Sequence, residues 1–441
     1  MSEDTQEVVD PDDEISYWSI VWGQFKKNKV AYWGMWAIVG IVLLAIYAPV
    51  LALDYPFYIT YADPTGGTVT EFPWFSRLLF DRNLFENTVD IFFNLVLALS
   101  PLMAVTGLVL WKVMGTRRRK IRMAFYQRAI WAWSGITLAC LVTLMVLESS
   151  QPYNNYVEIQ TGSQLEAEVE IIAMSFANDG KVDPVKAAEL RSHVATSIFP
   201  LVPQSFRTSN LSEVESKISR KHLLGTDNRG RDVFARMVYG TRISLTIGAI
   251  AVSIYIVIGI ILGAVGGYFR GWVDSLVLRM VEVMLCFPSF ILILTLVAFI
   301  DKPSIFHVMI IIGLTRWTGP ARLVRGEFLK LGGQDFVAAA IASGIPQSRV
   351  IFRHVLPNAL SPVLVNATFG VASAILLESG LAFLGVGDPS AASWGEILNI
   401  GRQTSNMALI LFPGLAIFAT VSLFNLVGEG IRDALDPKMR K

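Results

Sequence analysis

Residues able to do chemistry are few in this chain of 441, and most are scattered. The four histidines (His193, His222, His307, His354) share no ligand spacing, and no HExxH or CxxC occurs, so neither a zinc site nor a nucleophile triad is visible. Cys140 and Cys286 lie inside apolar runs and read as small hydrophobes, not as a bridge or a metal pair. No G-x-x-x-x-G-K-[ST] loop is present, so the chain does not bind ATP by that route. Three polar features remain. Two carboxylates, Glu282 and Glu378, sit in long apolar runs, where an acid is costly and must face a cavity or a partner. Glu282 is expected to pair with Arg279, whereas Glu378 reads either as lining a pathway or as packed between helices. In the charged knot GTDNRGRD (Gly225–Asp232), Thr226 or Asp227 is expected to cap a short helix, with Arg229, Arg231 and Asp232 in local pairs. It reads as a structural elbow at an external entrance or as a substrate contact.

The third feature is Asp335–Asn358, DFVAAAIASGIPQSRVIFRHVLPN. Asp335–Ser343 is alanine-rich and favours a helix, with Asp335 at the end that welcomes negative charge. Gly344 stands where a left-handed residue stops a helix, and Pro346 where the first turn of a second helix tolerates proline. That second helix carries Arg349 and Arg353 on one face, and Pro357 is expected to end it. Two short helices at a fixed bend make either a rigid lever for a partner or an ordinary structured loop.

The elements that must position these residues are set by composition. Apolar residues make up 53% and charged residues 17%, with 37 bases against 36 acids for a net charge of +1. That balance removes the electrostatic motive for nucleic-acid binding. A bilayer core takes about 20 apolar residues of helix. Runs at 31–53, 91–111, 129–147, 243–269 and 407–428 qualify outright, and 280–300 and 359–387 qualify with one acid each. An eighth, Pro303–Thr315, is short. The expected fold class is therefore an all-α polytopic membrane protein of about eight transmembrane helices.

Lys and Arg gather in cytoplasmic loops, which orients the spans. Lys112–Arg128 has seven bases and no acid, whereas Asp54–Asp90 has six acids against two bases and Glu148–Arg220 ten against six. Arg316–Ala359, with six bases and two acids, falls on the cytoplasmic side only if the eighth run crosses. Eight spans with both termini cytoplasmic is the consistent solution. The acidic first 14 residues are expected to be a solvated tail and not a cleavable signal, and Ile15–Lys26 an interfacial helix, together forming an entry segment 1–30. In Glu148–Arg220, Gln164–Ile172 suits strand or helix and Asp183–Ile198 has helical character.

The 335–357 segment resembles the EAA loop of ABC-importer permeases, a pattern of E-A-A, three residues, Gly, nine residues, then I-x-L-P. Ala339, Ala340, Gly344, Leu356 and Pro357 match; Ala338 and His354 replace the glutamate and the isoleucine. HLLGTDNRGRDVFARMVYGTRISL, GYFRGWVDSLVLRMVEVMLCFPS, ARLVRGEFL, ILLESGLAFLGVG, PSAASWGEIL and LFPGLAIFATVSLFNLVGEGIRDALDPKMR follow in order. Together they are similar to the second permease subunit of the dipeptide/oligopeptide/nickel class. The resemblance implies a type I importer permease core at 221–441 that lacks ATPase activity of its own. It also implies a second permease subunit, two ATPase subunits carrying ATP and Mg, and an extracytoplasmic substrate-binding protein, in a bacterial cytoplasmic (inner) membrane. Residues 54–220 depart from the usual six spans as an insertion, comprising two extra helices and the external segment 148–220. The hairpin is expected at the periphery, the external segment against the binding protein. An ion-coupled secondary carrier, or a membrane receptor or scaffold, are the competing classes; inverted repeats or broken helices would mark the carrier, and no such repeat is seen in the sequence.

Overall fold

In hydrocarbon a backbone has no water to bond, so long apolar runs close their own hydrogen bonds as helices. The computed structural model describes residues 17–62, 68–80, 85, 87–114, 119–149, 194–211 and 213–436. In chain order come α1 (Tyr17–Lys27), α2 (Lys29–Ile46), α3 (Ala48–Leu51), β1 (Tyr58–Ala62), β2 (Thr68–Glu71), α4 (Pro73–Phe80), α5 (Thr88–Met114), α6 (Arg119–Ser149) and β3 (Val194–Ile198). Then follow α7 (Val233–Phe269), α8 (Gly271–Leu285), α9 (Ser289–Ala298), α10 (Ile305–Thr315), α11 (Thr318–Leu331), α12 (Asp335–Ala342) and α13 (Gln347–Arg349). A π-helical segment (Val350–Val355) leads into α14 (Leu356–Phe383), and α15 (Trp394–Thr404) and α16 (Met407–Leu435) complete the chain.

Among the described residues, α2, α5, α7, α14 with its π-helical lead-in, and α16 are each long and apolar enough to cross a membrane. A sixth candidate is α8 with α9, bent by 77° at their junction. The expected run 280–300 is therefore not one straight span. Pro288 has no N–H to give and disfavours helical backbone at Phe287, so the helix breaks there. The run Ala129–Leu147 lies within α6. Pro303–Thr315 yields only α10, 11 residues or ~16 Å, about half of a hydrocarbon core. After Arg316 and Trp317 the chain turns helical again as α11, whose buried face is Thr318, Pro320, Ala321, Val324 and Phe328. The eight expected spans thus resolve into five uninterrupted helices, a bent pair, α6, and a short helix extended by a charged one.

The chain forms two compact units. One comprises residues 1–40, 247–381 and 415–441. Here α1 and α2 are separate helices, with the Asn28 side chain between them accepting the Ala31 N–H at 3.1 Å as an N-cap. Val21, Phe25 and Ala31 pack on Val427 and Ala434 of α16. A second cluster joins Val324 and Phe328 to Val337, Ala340, Val350, Val355, Ala359 and Val363, flanked by Ile256, Ile260 and Ala264 of α7. A row of glycines on α7 packs against a neighbouring helix. A Cβ on Gly259, Gly263 or Gly267 would meet Pro320, Ala321 or Phe328 at 2.5–2.7 Å, so the α7 backbone lies directly on α11.

The other unit comprises residues 41–246 and 382–414. It contains a three-stranded antiparallel sheet in the order β2-β1-β3, with Thr60 opposite both Thr70 and Thr196. The fold is helical apart from this small sheet among the described residues, and one expectation is corrected: Val194–Ile198, whose Val, Thr and Ile suit a pleat, is a strand and not helix. Residues 183–193, Gln164–Ile172 and the acidic first 14 residues lie outside the described residues. Trp74, Leu78, Phe85, Val202, Phe206, Val238 and Tyr239 share one apolar cluster, with the Phe206 and Tyr239 rings stacked at 4.2 Å. A cut at residue 220 would divide that cluster, so the 54–220 segment is not a detachable module. Nor is the hairpin merely peripheral. Arg242 of α7 is fully buried and donates to the Asp90 carboxylate of α5 at 3.2 Å and to the Ala45 and Ile46 carbonyls at 2.7 and 3.4 Å.

Candidate coupling site

Asp335 opens α12, where its charge meets the positive end of the helix, although Gln334 holds the cap position and makes no side-chain cap bond. Val337 and Ala340 point inward, three residues apart on one face. The helix ends in a Schellman turn: Gly344 N–H bonds the Ile341 carbonyl at 3.0 Å and Ile345 N–H the Ala340 carbonyl at 3.2 Å. Gly344 has φ +73°, which a side chain resists, and Ile345 packs back onto the cluster below. The bend between the two helical pieces is thus fixed by backbone bonds at one end and burial at the other.

Pro346 stands one residue before α13, as its N-cap and not within its first turn. The chain then widens into the π segment, where Leu356 N–H reaches the Ile351 carbonyl. Pro357 does not end the helix, contrary to the sequence expectation. It is the second residue of α14, and the proline ring and missing N–H act on the Arg353 carbonyl four residues back. A π-register turn moves that carbonyl away, and the helix continues. Asn358 Nδ2 donates to the neighbouring His354 carbonyl at 2.8 Å.

Of the sequence-derived site residues, Asp335, Ala339, Gly344, Arg349, Arg353 and Pro357 are exposed, Leu356 is half-buried and Ala340 is buried. The exposed set shares its surface with Phe336, Ile341 and Phe352, the last 68% exposed. Sequence reasoning did not single out those three. The available signal was large apolar side chains at positions the Val337/Ala340 face cannot cover. The surface offers apolar knobs beside two guanidinium groups, on a backbone held rigid from beneath. Asp274 of α8 and Arg325 of α11 form a bidentate pair, Nη2 to Oδ2 at 2.6 Å, that ties α8 to the helix supporting this loop. They are 51 residues apart, so no local spacing announces them.

The other polar candidates lie apart from this loop in sequence. Glu282 pairs with Arg279 at 2.7 Å as expected, both exposed. Glu378 is 2% exposed and accepts the Ser379 hydroxyl at 3.4 Å. In the charged knot, Asp232 and not Thr226 or Asp227 caps the helix, accepting the Ala235 N–H of α7 at 2.8 Å. Asp227 instead takes the Arg229 and Arg231 N–H groups, Arg231 Nε at 2.7 Å and Arg236 Nη1. Burial opposes its charge, but Arg236, Arg231 and the two N–H groups hold its carboxyl below the usual range. Thr226 donates to the Glu213 carbonyl and accepts the Ser216 N–H. His222 bridges Asp232 (2.8 Å) and Glu213 (3.1 Å), and the bond to Asp232 chiefly raises its pKa above 6.5. The side chains of Thr226, Asp227, Arg231 and Asp232 are thus engaged within the knot, while Arg229 is exposed. Among the described residues no group of three His, Cys, Asp or Glu side chains is placed to hold a metal.

The family profile described as "Binding-protein-dependent transport system inner membrane component" matches residues 255–441, and that for the "N-terminal TM domain of oligopeptide transport permease C" matches residues 16–65. The dipeptide transport system permease protein DppC of Alkalihalophilus pseudofirmus is 40% identical over 256 residues, 57% of this chain and 84% of that protein. The chain belongs to this family of binding-protein-dependent permeases. The permease also shares 38% identity over 239 residues with the oligopeptide permease OppC of Bacillus subtilis, 54% of this chain and 78% of that protein. The glutathione permease GsiD of Pectobacterium atrosepticum is 38% identical over 225 residues, 50% and 74% of the two chains. The 335–357 loop, α11 and α14 of the permease fall inside the larger profile and β1 inside the smaller, while α5, α6, β2 and β3 fall outside both.

Proposed function

We propose that this permease carries peptides or similar small solutes across the bacterial cytoplasmic membrane as one of two permease subunits of an ATP-driven importer. The relatives are named for dipeptides, oligopeptides and glutathione, which supports a short peptide as cargo. An extracytoplasmic binding protein delivers the solute. Two ATPase subunits, which carry the ATP and Mg, grip the 335–357 surface, so this chain needs no catalytic residue or cofactor of its own. The excess of Lys and Arg in Lys112–Arg128 and Arg316–Ala359 supports a cytoplasmic side for both segments and for the termini. Transport requires the ligand to favour one state over another, and here that ligand is ATP on the partner.

The observation that carries this reading is the rigid loop whose exposed face combines Phe336, Ile341 and Phe352 with Arg349 and Arg353. A groove on an ATPase with acidic rims would accept it. The test is ATP-driven uptake of a labelled short peptide by the complete importer in proteoliposomes. Arg349→Glu with Arg353→Glu is expected to weaken ATPase retention about tenfold or more, since reversing charges at an interface costs more than ~1.4 kcal/mol. Undiminished retention and uptake by the double variant would refute the assignment, as would full uptake with no ATPase present.

A further inference from the structure

In α8, the first arm of the bent span, the exposed surface is of two kinds. Ser275, Arg279, Glu282 and Cys286 recur at four-, three- and four-residue intervals, so they lie in one row ~16 Å long. All four are exposed, on the side away from the buried Val277 and Val281. Leu276 and Val283, 53% and 59% exposed, form an apolar flank about a quarter-turn round the helix. The row runs to the break in the span: Cys286 is the C-cap of α8, and α9 then departs at 77°.

The two surfaces suit different surroundings. Hydrocarbon accepts Leu276 and Val283, but it is a costly place for a guanidinium and a carboxylate. Arg279 donates from Nη1 to Glu282 Oε2 at 2.7 Å, and among the described residues that is the one bond either side chain makes. The remaining guanidinium N–H groups and Glu282 Oε1 are left to water or to a polar ligand. Lipid tails offer neither, and close packing against another membrane helix is served by small side chains, not by two long charged ones. A short peptide brings one charge of each sign at its termini, which matches the pair. We propose, building on the transport reading, that this row lines the aqueous path through the importer and binds the termini of a passing peptide, the carboxylate at Arg279 and the ammonium at Glu282.

Cys286 serves as the reporter, because a thiol attacks a methanethiosulfonate as the thiolate, which forms in water and not in hydrocarbon. The assembled importer carrying Cys140→Ser, in nanodiscs, is treated with the cationic, membrane-impermeant trimethylammonioethyl methanethiosulfonate, with and without ATP. The intact mass of this chain reads the modification. In at least one of the two conditions Cys286 is expected to react about tenfold or more faster than a cysteine on the apolar flank (Val283→Cys with Cys286→Ser). Saturating dialanine is expected to slow the reaction several-fold, and N-acetyl-dialanine amide, which lacks both terminal charges, to leave it unchanged. Arg279→Gln with Glu282→Gln keeps the row polar at exposed positions and should abolish the protection while Cys286 stays reactive. Equal rates at positions 283 and 286 would overturn the proposal, as would reaction that dialanine does not slow or protection that survives the double variant. Fast reaction slowed by dialanine, without ATP-driven uptake of dialanine, would count against the transport reading alone.

Discussion

Arg242 is the sharpest test of how the added hairpin is built into the permease. Its side chain is fully buried. It supplies two of the carbonyls at the end of α2 that have no intrahelical donor, Ala45 at 2.7 Å and Ile46 at 3.4 Å. It also meets Asp90 Oδ1 at 3.2 Å and lies over the Tyr239 and Phe93 rings, 4.9 and 5.3 Å from their centroids. Removing one member of a buried ion pair leaves the other charged without compensation, which costs ~3–5 kcal/mol. Asp90→Ala falls at the lower end of that range, because Arg242 keeps its two carbonyls and its ring contacts. Arg242→Met falls at the upper end, because the Ala45 and Ile46 carbonyls lose their donor as well. The double variant removes both charges and should recover roughly 2–3 kcal/mol relative to the sum of the singles, the signature of direct coupling. Reversible SDS unfolding of the purified chain in mixed micelles, read by tryptophan fluorescence, supplies the cycle. If the two single effects add to within about 0.5 kcal/mol, Arg242 and Asp90 do not form the pair described, and the hairpin is attached by packing alone.

Gly263→Val places a branched side chain against the Ala321 carbonyl and Val324, an overpacking expected to cost ~1–3 kcal/mol and to lower the thermal midpoint in detergent, whereas Gly326→Ala on α11, with open space at its Cβ, is expected to be neutral. Gly344→Val forces a branched residue to φ +73° and should loosen the bend, raising amide exchange across 335–350 and lowering ATP-driven uptake by about tenfold if ~1–2 kcal/mol is lost. His222 has a raised pKa, so its contribution is fully present below its unfolded value near 6.5 and is lost as pH rises through the higher folded value. Amide protection across 213–232, corrected for intrinsic exchange, is therefore expected to be greater at pH 6 than at pH 9. His222→Gln should flatten that dependence, and a protection that rises with pH in the parent chain would contradict the bridge.

What the sequence disclosed and what it hid divide along physical lines. Apolar length and local caps are one-dimensional, so α5, α7 and α16 and the Gly344 stop were legible in the order of residues, as was the i,i+3 pair Arg279–Glu282. Gly259, Gly263 and Gly267 repeat at helical spacing, but nothing in that spacing names α11 as the partner. Val194–Ile198 was misread because alternation over five residues is weak evidence against a longer helical-looking stretch, and its pairing strand β1 lies more than 130 residues earlier. Asp90–Arg242 and Asp274–Arg325 were invisible for the same reason: each pair is separated by dozens of residues. Asp227 was recognised as chemically loaded but given the wrong task, because Asp232, five residues on, occupies the N-cap geometry first.

Pro357 carries the lesson with the most mechanical weight. A proline was read as an end, and an end would have made the coupling loop a separate piece joined to the membrane helix by a hinge. Instead six π-helical residues absorb the proline, and the helix runs on through α14. The same loop shares its buried cluster with Val324 and Phe328 of α11 and with Ile256, Ile260 and Ala264 of α7. Close-packed clusters transmit displacement instead of deforming. A push on Arg349 or Phe352 is therefore delivered to α7, α11 and α14 together, through the π turn at Val350–Val355, an irregularity of the kind often found at functional sites. Replacing Pro357 with alanine restores the N–H that an α register needs at that point. It should shift Val350–Val355 toward α, tighten the helix by a fraction of a turn, and re-aim Arg353 while leaving the buried cluster in place. Transport would fall with ATPase binding largely retained. Loss of binding in equal measure would mean that the turn sets the docking surface and not the transmission.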